Sequence, residues 1–428
     1  MTDASADCSV PPISRAQALR IVEALRTGRN CLEGVRAFSA GRATLFGAAD
    51  DLFEELSLSQ GAIVRWIRGR TGQGKTHFFG RLMEMALHRN WVSTYVLISG
   101  PQGGTELHRF EEIYGAVVNH CICAGLIAQE GGKMDPGHVP GWDWIMEDWW
   151  QRLRRQVIGR DAGEVPTLRM QEAINQAVTF LRRRYSIHGS FAEALRQFAL
   201  SRAEGDEEWT EVIRCWFRGE DVHSRGSAVK ARLLQQAIRE SVNRRNAKEM
   251  LRSLSVFVRH LEYGGILILV DELENVLQQH SRSRKNAYIT LRELIDNVDD
   301  RHGMTYTAMY ISATPDVFDS ERGVTEHEPL AGRVLTSTAS TAGNTANPVG
   351  AVIDLAAWPL KKTDLLRAAE GIAGIHSVAK SWTAGDEIIK GFRKMADRLL
   401  TENPDLSARD WVKAVVGELD IQHGQTSK

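Results

Sequence analysis

Apolar residues fall into two rhythms along this chain. Four stretches are short, nearly continuous and β-branched: Ala62-Ile63-Val64-Arg65-Trp66-Ile67, Val92 to Ser99, Gly264 to Val270, and Thr307 to Thr314. A shorter one follows at Val352-Ile353-Asp354-Leu355. Runs of that length and composition predict buried strands. Elsewhere apolar residues recur every three or four positions, the spacing of one helix face. Ala18, Leu19, Ile21, Val22 and Leu25 predict a first helix from Ser14, Leu32, Val35 and Phe38 a second, and Leu45, Ala49, Leu52 and Leu56 a third. Another helix is expected around Arg109 to Tyr114, and one from Tyr288 to about Val298. From Trp142 to about Ser253 the pattern is almost wholly helical, with a clear stripe at Trp142, Ile145, Met146, Trp149, Trp150 and Leu153. From Lys362 onward it is helical again, through Leu365-Leu366, Ile388 to Leu400 and Ala408 to Leu419. Strands alternating with helices predict an α/β fold around a parallel sheet, here interrupted by a helical insertion.

Breaks are expected at Gly100 to Gly104, at Gly131-Gly132 and Pro136 to Pro140, and over residues 334–349, which are rich in Ser, Thr, Ala, Gly and Asn. Residues 1–12 are small and polar and end in Pro11-Pro12, so a loose start is expected.

Composition narrows the function. With 428 residues and a net charge of −1, the chain can bury a large core and is neither a polybasic binder nor an acidic tail. Nucleic-acid contact would need a local patch. Arginines do cluster in the helical stretch, at Arg152, Arg154, Arg155, Arg182, Arg183, Arg184, Arg244 and Arg245. Solvated arginines around a tryptophan core explain them more simply than a nucleic-acid face. The five cysteines include no C-x-x-C pair and no zinc spacing, and are expected as free thiols, with Cys121-x-Cys123 as a packed helix position. Without a signal peptide or an apolar run near 18 residues, a cytoplasmic protein with no membrane contact is expected.

The chemistry gathers at three strand ends. Gly69-Arg70-Thr71-Gly72-Gln73-Gly74-Lys75-Thr76 fits G-x-x-x-x-G-K-[ST] and lies between a predicted strand and a predicted helix that opens at His77. Glycines let the backbone wrap a phosphate, and the helix N-terminus adds positive potential. Residues 69–77 are therefore the candidate ATP-binding stretch, with Lys75 on the β- and γ-phosphates and the Thr76 hydroxyl on Mg²⁺. The run Ile266 to Val270 ends in Asp271-Glu272. Paired with the upstream loop, Asp271 is expected to hold Mg²⁺ through water and Glu272 to polarise the attacking water; an acidic cap on the next helix is the plainer alternative. The following strand ends in polar residues, where Thr314, with Ser312 second, would sense the γ-phosphate.

A phosphate loop, an acidic strand end, a strand with a polar terminus and late helices together resemble an AAA+ ATPase. More narrowly, the chain resembles the ATP-binding proteins of BREX phage-defence systems, the BrxD-like family. The resemblance is carried by Arg109-Phe110-Glu111-Glu112-Ile113-Tyr114, Cys215-Trp216-Phe217-Arg218-Gly219-Glu220, Leu261-Glu262-Tyr263-Gly264-Gly265, Asp271-Glu272-Leu273-Glu274-Asn275 and Ala313-Thr314-Pro315-Asp316, in that order. It implies a P-loop NTPase of AAA+ type: a helical preface over 1–55, a nucleotide-binding core over 56–350 with the insertion at about 130–253, and a C-terminal helical lid over 351–428. It also implies ATP and Mg²⁺ as cofactors, assembly into a homo-oligomer, and work with other defence proteins against foreign DNA. An arginine at Arg409 would reach over the nucleotide. Arg333, or its rival Arg322, would be presented to a neighbouring subunit. The segment His280 to Lys285 would be a loop facing DNA. Two functions stay open: an ATPase acting on DNA, and a nucleotide-gated binding module. A metabolic kinase comes third, because the sequence shows no second substrate site and the late helices resemble an AAA+ lid instead.

Overall fold

The computed structural model describes residues 13–29, 31–98, 105–129, 141–158, 167–296, 303–335, 346–403 and 405–426. The expected loose start, the breaks at 100–104, 131–132 and 136–140, and most of the polar segment 334–349 lie outside them. The described residues fall into two compact units.

The larger unit, within Thr44–Arg70 and Met85–Ala357, holds a six-stranded sheet. Its strands are β1 (Ala62–Arg68), β2 (Val92–Leu97), β3 (Cys121–Ile122), β4 (Ile266–Asp271), β5 (Thr307–Ala313) and β6 (Val352–Asp354). They run in the order β3-β2-β4-β5-β1-β6, all parallel except that β3 lies antiparallel on β2. Every position of β4 and β5 is buried. That is why these two strands are continuous apolar runs rather than alternating ones: both faces are covered. The register sets Leu97 beside Asp271 and Ile67 beside Ser312, so the predicted chemistry collects at the carboxyl edge. Gly264 and Gly265 precede β4 because a Cβ on either would collide with the Trp91 ring, which is 1 % exposed.

The helical insertion belongs to the same unit, with helices Gly141–Ile158, Thr167–Tyr185, Gly189–Glu204, Glu207–Phe217 and Ala247–His260 among its elements. Its core is aromatic. Trp142 lies 5.5 Å from Phe217 and 5.6 Å from Phe257, and Trp149 meets Phe257 edge-on at 5.4 Å, centroid to centroid. Such tilted pairs add roughly 0.5–1.5 kcal/mol each beyond the area they bury. The predicted tryptophan stripe is thus the face that closes this core.

The smaller unit gathers described residues within Met1–Ala43, Thr71–Glu84 and Trp358–Lys428. Helix Arg15–Thr27 begins in a capping box, Ser14 with Gln17, and ends at Gly28, whose φ of 67° only glycine adopts without strain. It packs Ile21, Val22 and Leu25 against Ile372 of helix Lys362–Lys380 and against Trp411 and Val415 of helix Ala408–Thr426. Trp411 Nε1 donates to the Leu365 carbonyl at 2.8 Å, so the indole is buried without leaving its N–H unpaired.

Three expectations are corrected. The second helix is only a 3₁₀ turn, Val35–Ala37; Gly34 before it and Gly41 after it are left-handed, at φ 60° and 75°, which stops propagation. Cys121 is on a two-residue edge strand and Cys123 just beyond it, not in a helix. The segment from Ser281 to Lys285 is the first turn of helix Ser281–Asp296, not a loop. Among the described residues no helix is long and apolar enough to cross a membrane.

Candidate nucleotide site

The chain leaves β1 at Gly69, whose N–H donates to the Ala313 carbonyl of β5 at 3.1 Å. Gly72 and Gly74 then turn left-handed, at φ 78° and 98°. A Cβ on Gly72 would stand 3.0 Å from Ser407 Oγ, and one on Gly74 3.3 Å from Arg42 Nη1. Both positions thus need glycine for conformation and for close approach. Helix Lys75–His88 starts at once, with the Phe78 N–H on the Gly74 carbonyl at 2.9 Å. A glycine turn opening a helix leaves backbone N–H groups to meet a phosphate, so the residues present fit a nucleotide. Lys75, 8 % exposed, roots its side chain within the fold.

Two elements of the smaller unit hold the loop. Arg42 Nη2 donates to the Gln73 carbonyl at 3.2 Å and its Nε to the Trp358 carbonyl at 3.0 Å. Burial pushes the Arg42 guanidinium down to about 10, with Asp364 pulling the other way, so it stays charged at neutral pH. The Arg409 N–H donates to the Gly72 carbonyl at 3.2 Å. The Arg409 backbone is therefore on the loop, while its side chain is exposed. The His77 ring packs within the smaller unit: its Nε2 shares a 3.1 Å hydrogen bond with Ser39 Oγ, and its ring centre lies 5.2 Å from that of Phe38. Burial first, then Arg42 and Arg81, push its pKa down to about 4, so the ring is neutral at pH 7.

In the larger unit, Asp271 closes β4 at 1 % exposure. Its carboxylate accepts from Tyr95 Oη at 2.8 Å, from the Ser312 hydroxyl, and from the Glu272 N–H at 3.0 Å. A buried carboxylate needs such donors, since an unpaired one costs several kcal/mol. Glu272 itself is left-handed, φ 60° and ψ 42°, which is uncommon for a residue with a Cβ. Strain of this kind, of order 1–3 kcal/mol, persists where surrounding structure holds it. Asn275 does the holding: its Nδ2 donates to the Ile98 carbonyl at 2.7 Å and to Glu272 Oε2 at 3.4 Å. The Glu272 carboxylate is thereby turned off the strand axis and kept half-exposed beside a buried partner. Glu272 also occupies the N-cap position of the turn Leu273–Gln278, as the plainer reading expects, but makes no side-chain capping bond there.

Ser312 is spent on Asp271. Thr314, half-buried, precedes the short helix Pro315–Asp319 and makes no capping bond with its side chain. Arg333 is exposed on helix Glu328–Val334 and pairs with Asp296, Nη2 to Oδ2 at 3.0 Å. Arg322 is exposed too, and its carbonyl accepts from Tyr288 Oη at 2.6 Å. Arg284 is withdrawn from any surface role: it is 4 % exposed, with Nε on Glu326 Oε2 at 2.6 Å and Nη1 on the Gln279 carbonyl at 3.0 Å.

A family model described as BREX system ATP-binding protein BrxC/D matches residues 13–427. The chain belongs to that family. The match covers nearly the whole chain, helical insertion and C-terminal helices included. Family membership supports an ATP-binding role in phage defence. No curated protein and no solved structure matches the chain.

Tyr95 and Arg42 were not singled out by the sequence pattern, and Asn275 stood only within the run Asp271 to Asn275, with no role. Asn275 had a signal in its place three residues after the acid pair. Tyr95 had a faint one, as the only strand residue of β2 with a hydroxyl on a long arm. Nothing near Gly41-Arg42 announces that this arginine will meet residues thirty positions later.

Proposed function

We propose that the chain is a Mg²⁺-dependent ATPase of AAA+ type. The observation that carries this reading is the Glu272 carboxylate, bent off β4 and tied by Asn275, directly after the buried Asp271. A left-handed residue that sets a half-exposed carboxylate directly after a buried one supports a functional reason for its placement. In this reading the loop Gly69 to Thr76 binds the phosphates, Lys75 offsets their charge, and Thr76 and Asp271 hold Mg²⁺. Mg²⁺ supplies charge neutralisation on the phosphate oxygens when bound. Glu272 orients and deprotonates water, and Thr314 reports the γ-phosphate. The order of the sheet supports the last assignment, since β5 lies between β1 and β4. Arg333 acts in trans in a homo-oligomer, which its exposure permits. The division into preface, core and lid at 1–55, 56–350 and 351–428, the coupling to DNA, the partnership with other defence proteins and a cytoplasmic setting complete the proposal.

A second reading is a nucleotide-gated binding module. The hydrogen bond from Arg409 N–H to the Gly72 carbonyl favours it, because a loop that rearranges on binding ATP would carry helix Ala408–Thr426 with it. One experiment separates the two. Lys75→Ala should abolish ATP binding. Glu272→Gln should bind ATP with parental affinity and lose about 10²–10⁴-fold in turnover, the usual worth of a general base. Turnover is followed as phosphate release with and without duplex DNA. Parental turnover in Glu272→Gln removes the general-base assignment and leaves the gated module.

A further inference from the structure

The helix Thr167–Tyr185 in the insertion presents a stripe that its core role does not use. Its inward face buries Met170, Ile174, Val178 and Leu181. Its outward face lines a shallow depression of about 600 Å³ with Asn175, Gln176, Thr179, Phe180, Arg183 and Arg184. Phe180 is 49 % exposed, unusual for a ring this size. It is not loose: its centroid lies 6.0 Å from that of Tyr185, edge-on, and 5.7 Å from that of His260. One edge of the ring is fixed and the rest is open.

Arginines dominate the charge around Phe180; the Glu262 carboxylate near His260 is paired with Arg152 at 3.7 Å. Arg182 is paired with Glu193 at 3.4 Å, whereas Arg183 and Arg184 make no ion pair among the described residues. Arginines at a helix C-terminus often answer the free carbonyls there. Here that task is already done by Arg252, which donates to the Tyr185 carbonyl at 3.2 Å and the Ser186 carbonyl at 3.1 Å. Arg252 therefore adds a third positive charge to this end of the helix. The Arg184 guanidinium lies 5.8 Å from the Tyr185 ring centre, which steadies it over an aromatic face. Burial holds the His260 pKa down, so the imidazole brings neither charge nor counter-charge at neutral pH.

We propose that this stripe of the insertion binds single-stranded nucleic acid, with Arg183 and Arg184 on successive phosphates and one unstacked base on Phe180. The chemistry is complementary part by part: guanidinium forks for phosphate oxygens, an exposed ring for a base face, and Asn175, Gln176 and Thr179 for base edges. A duplex offers the same phosphates but keeps its bases stacked away from the ring. Among the other clustered arginines, Arg152 is paired with Asp148 at 2.9 Å and Arg182 with Glu193 at 3.4 Å. The inference rests on the proposed action on DNA and places one contact of it.

The test is fluorescence anisotropy of labelled oligothymidylate, its RNA counterpart and a duplex of equal length, across a salt series. Phe180→Ala should weaken single-strand binding about tenfold, within the 1–3 kcal/mol of one base stack, and leave the salt slope unchanged. The double variant Arg183→Ala, Arg184→Ala should lower the slope of log K against log salt by about 1.4, two single-strand phosphates at ~0.7 each. Phe180→Trp should retain binding. All three should bind ATP; the double arginine variant should melt as the parent does, and Phe180→Ala, which loses its ring contacts to Tyr185 and His260, should melt slightly lower but remain folded at the assay temperature. If the parent binds the strand but the variants match it in affinity and slope, this stripe is wrong and the action on DNA stands. If the parent prefers duplex, the single-strand assignment falls. If it binds neither, both readings fall together.

Discussion

His77 offers a sharp test of how the glycine loop is seated. Its ring stands in the first turn of helix Lys75–His88, beside Ser39 and Phe38, with Arg42 and Arg81 as the charged groups near it. Burial and those two cations bring its pKa from an ordinary 6.5 down to about 4. Protonation there would also place a positive charge at a helix N-terminus, where the backbone already repels it. The sign follows directly. Above pH 7 the ring is neutral folded and unfolded, and the full stability is present. As pH falls through 6.5 the unfolded ring takes a proton that the folded ring refuses, and stability drains away until about pH 4. At 1.36 kcal/mol per unit, and allowing for partial exposure of the ring, the loss is about 2–3 kcal/mol. Other groups titrate in the same window; burial pushes the Glu84 carboxyl upward, which acts in the opposite direction. The comparison is therefore between the parent and His77→Gln, whose amide keeps a partner for Ser39 but does not titrate. Urea midpoints are measured between pH 4 and 8 without nucleotide. The parent should lose about 2–3 kcal/mol more than the variant over that range. Curves that run parallel to within 0.5 kcal/mol, roughly the noise of such extrapolations, would refute the argument that His77 is held neutral.

Two further outcomes follow from the same geometry. Tyr95→Phe removes a donor to the buried Asp271 carboxylate, so the urea midpoint should fall by the equivalent of about 1.5–3 kcal/mol while ATP binding is retained; equal midpoints would mean the hydroxyl contributes nothing. Arg333→Ala should bind ATP but turn over poorly, and mixing it with Lys75→Ala should restore part of the activity; a mixed assembly that stays dead would exclude action across an interface.

Much of the core architecture was legible because burial on both faces leaves a direct mark in the sequence. β4 and β5 are continuous apolar runs, and the structure buries every residue in them. The glycine loop was equally plain, since left-handed turns at Gly72 and Gly74 and a helix start are local requirements met by local residues. The tryptophan stripe from Trp142 to Leu153 announced its core by its spacing. Local pattern failed where backbone turns overrode it. Leu32, Val35 and Phe38 have helical spacing, yet Gly34 and Gly41 allow only a single 3₁₀ turn. His280 to Lys285 looked like a basic loop, yet a helix turn carries Arg284 inward to Glu326.

What the sequence determined by itself is the set of residues at each strand end: a glycine loop, an acid pair and a polar strand terminus. What only the tertiary structure decided is which side chains orient that chemistry. Arg42 meets Gln73, Tyr95 and Ser312 meet Asp271, and Asn275 ties Glu272 to the Ile98 carbonyl. Most of these pairs are separated by tens to hundreds of residues, and each depends on the register of neighbouring strands or the packing of distant helices. Hydrogen bonds are directional and short, so a partner is chosen by where folding leaves it. Hydrophobic periodicity records only which face of an element is buried.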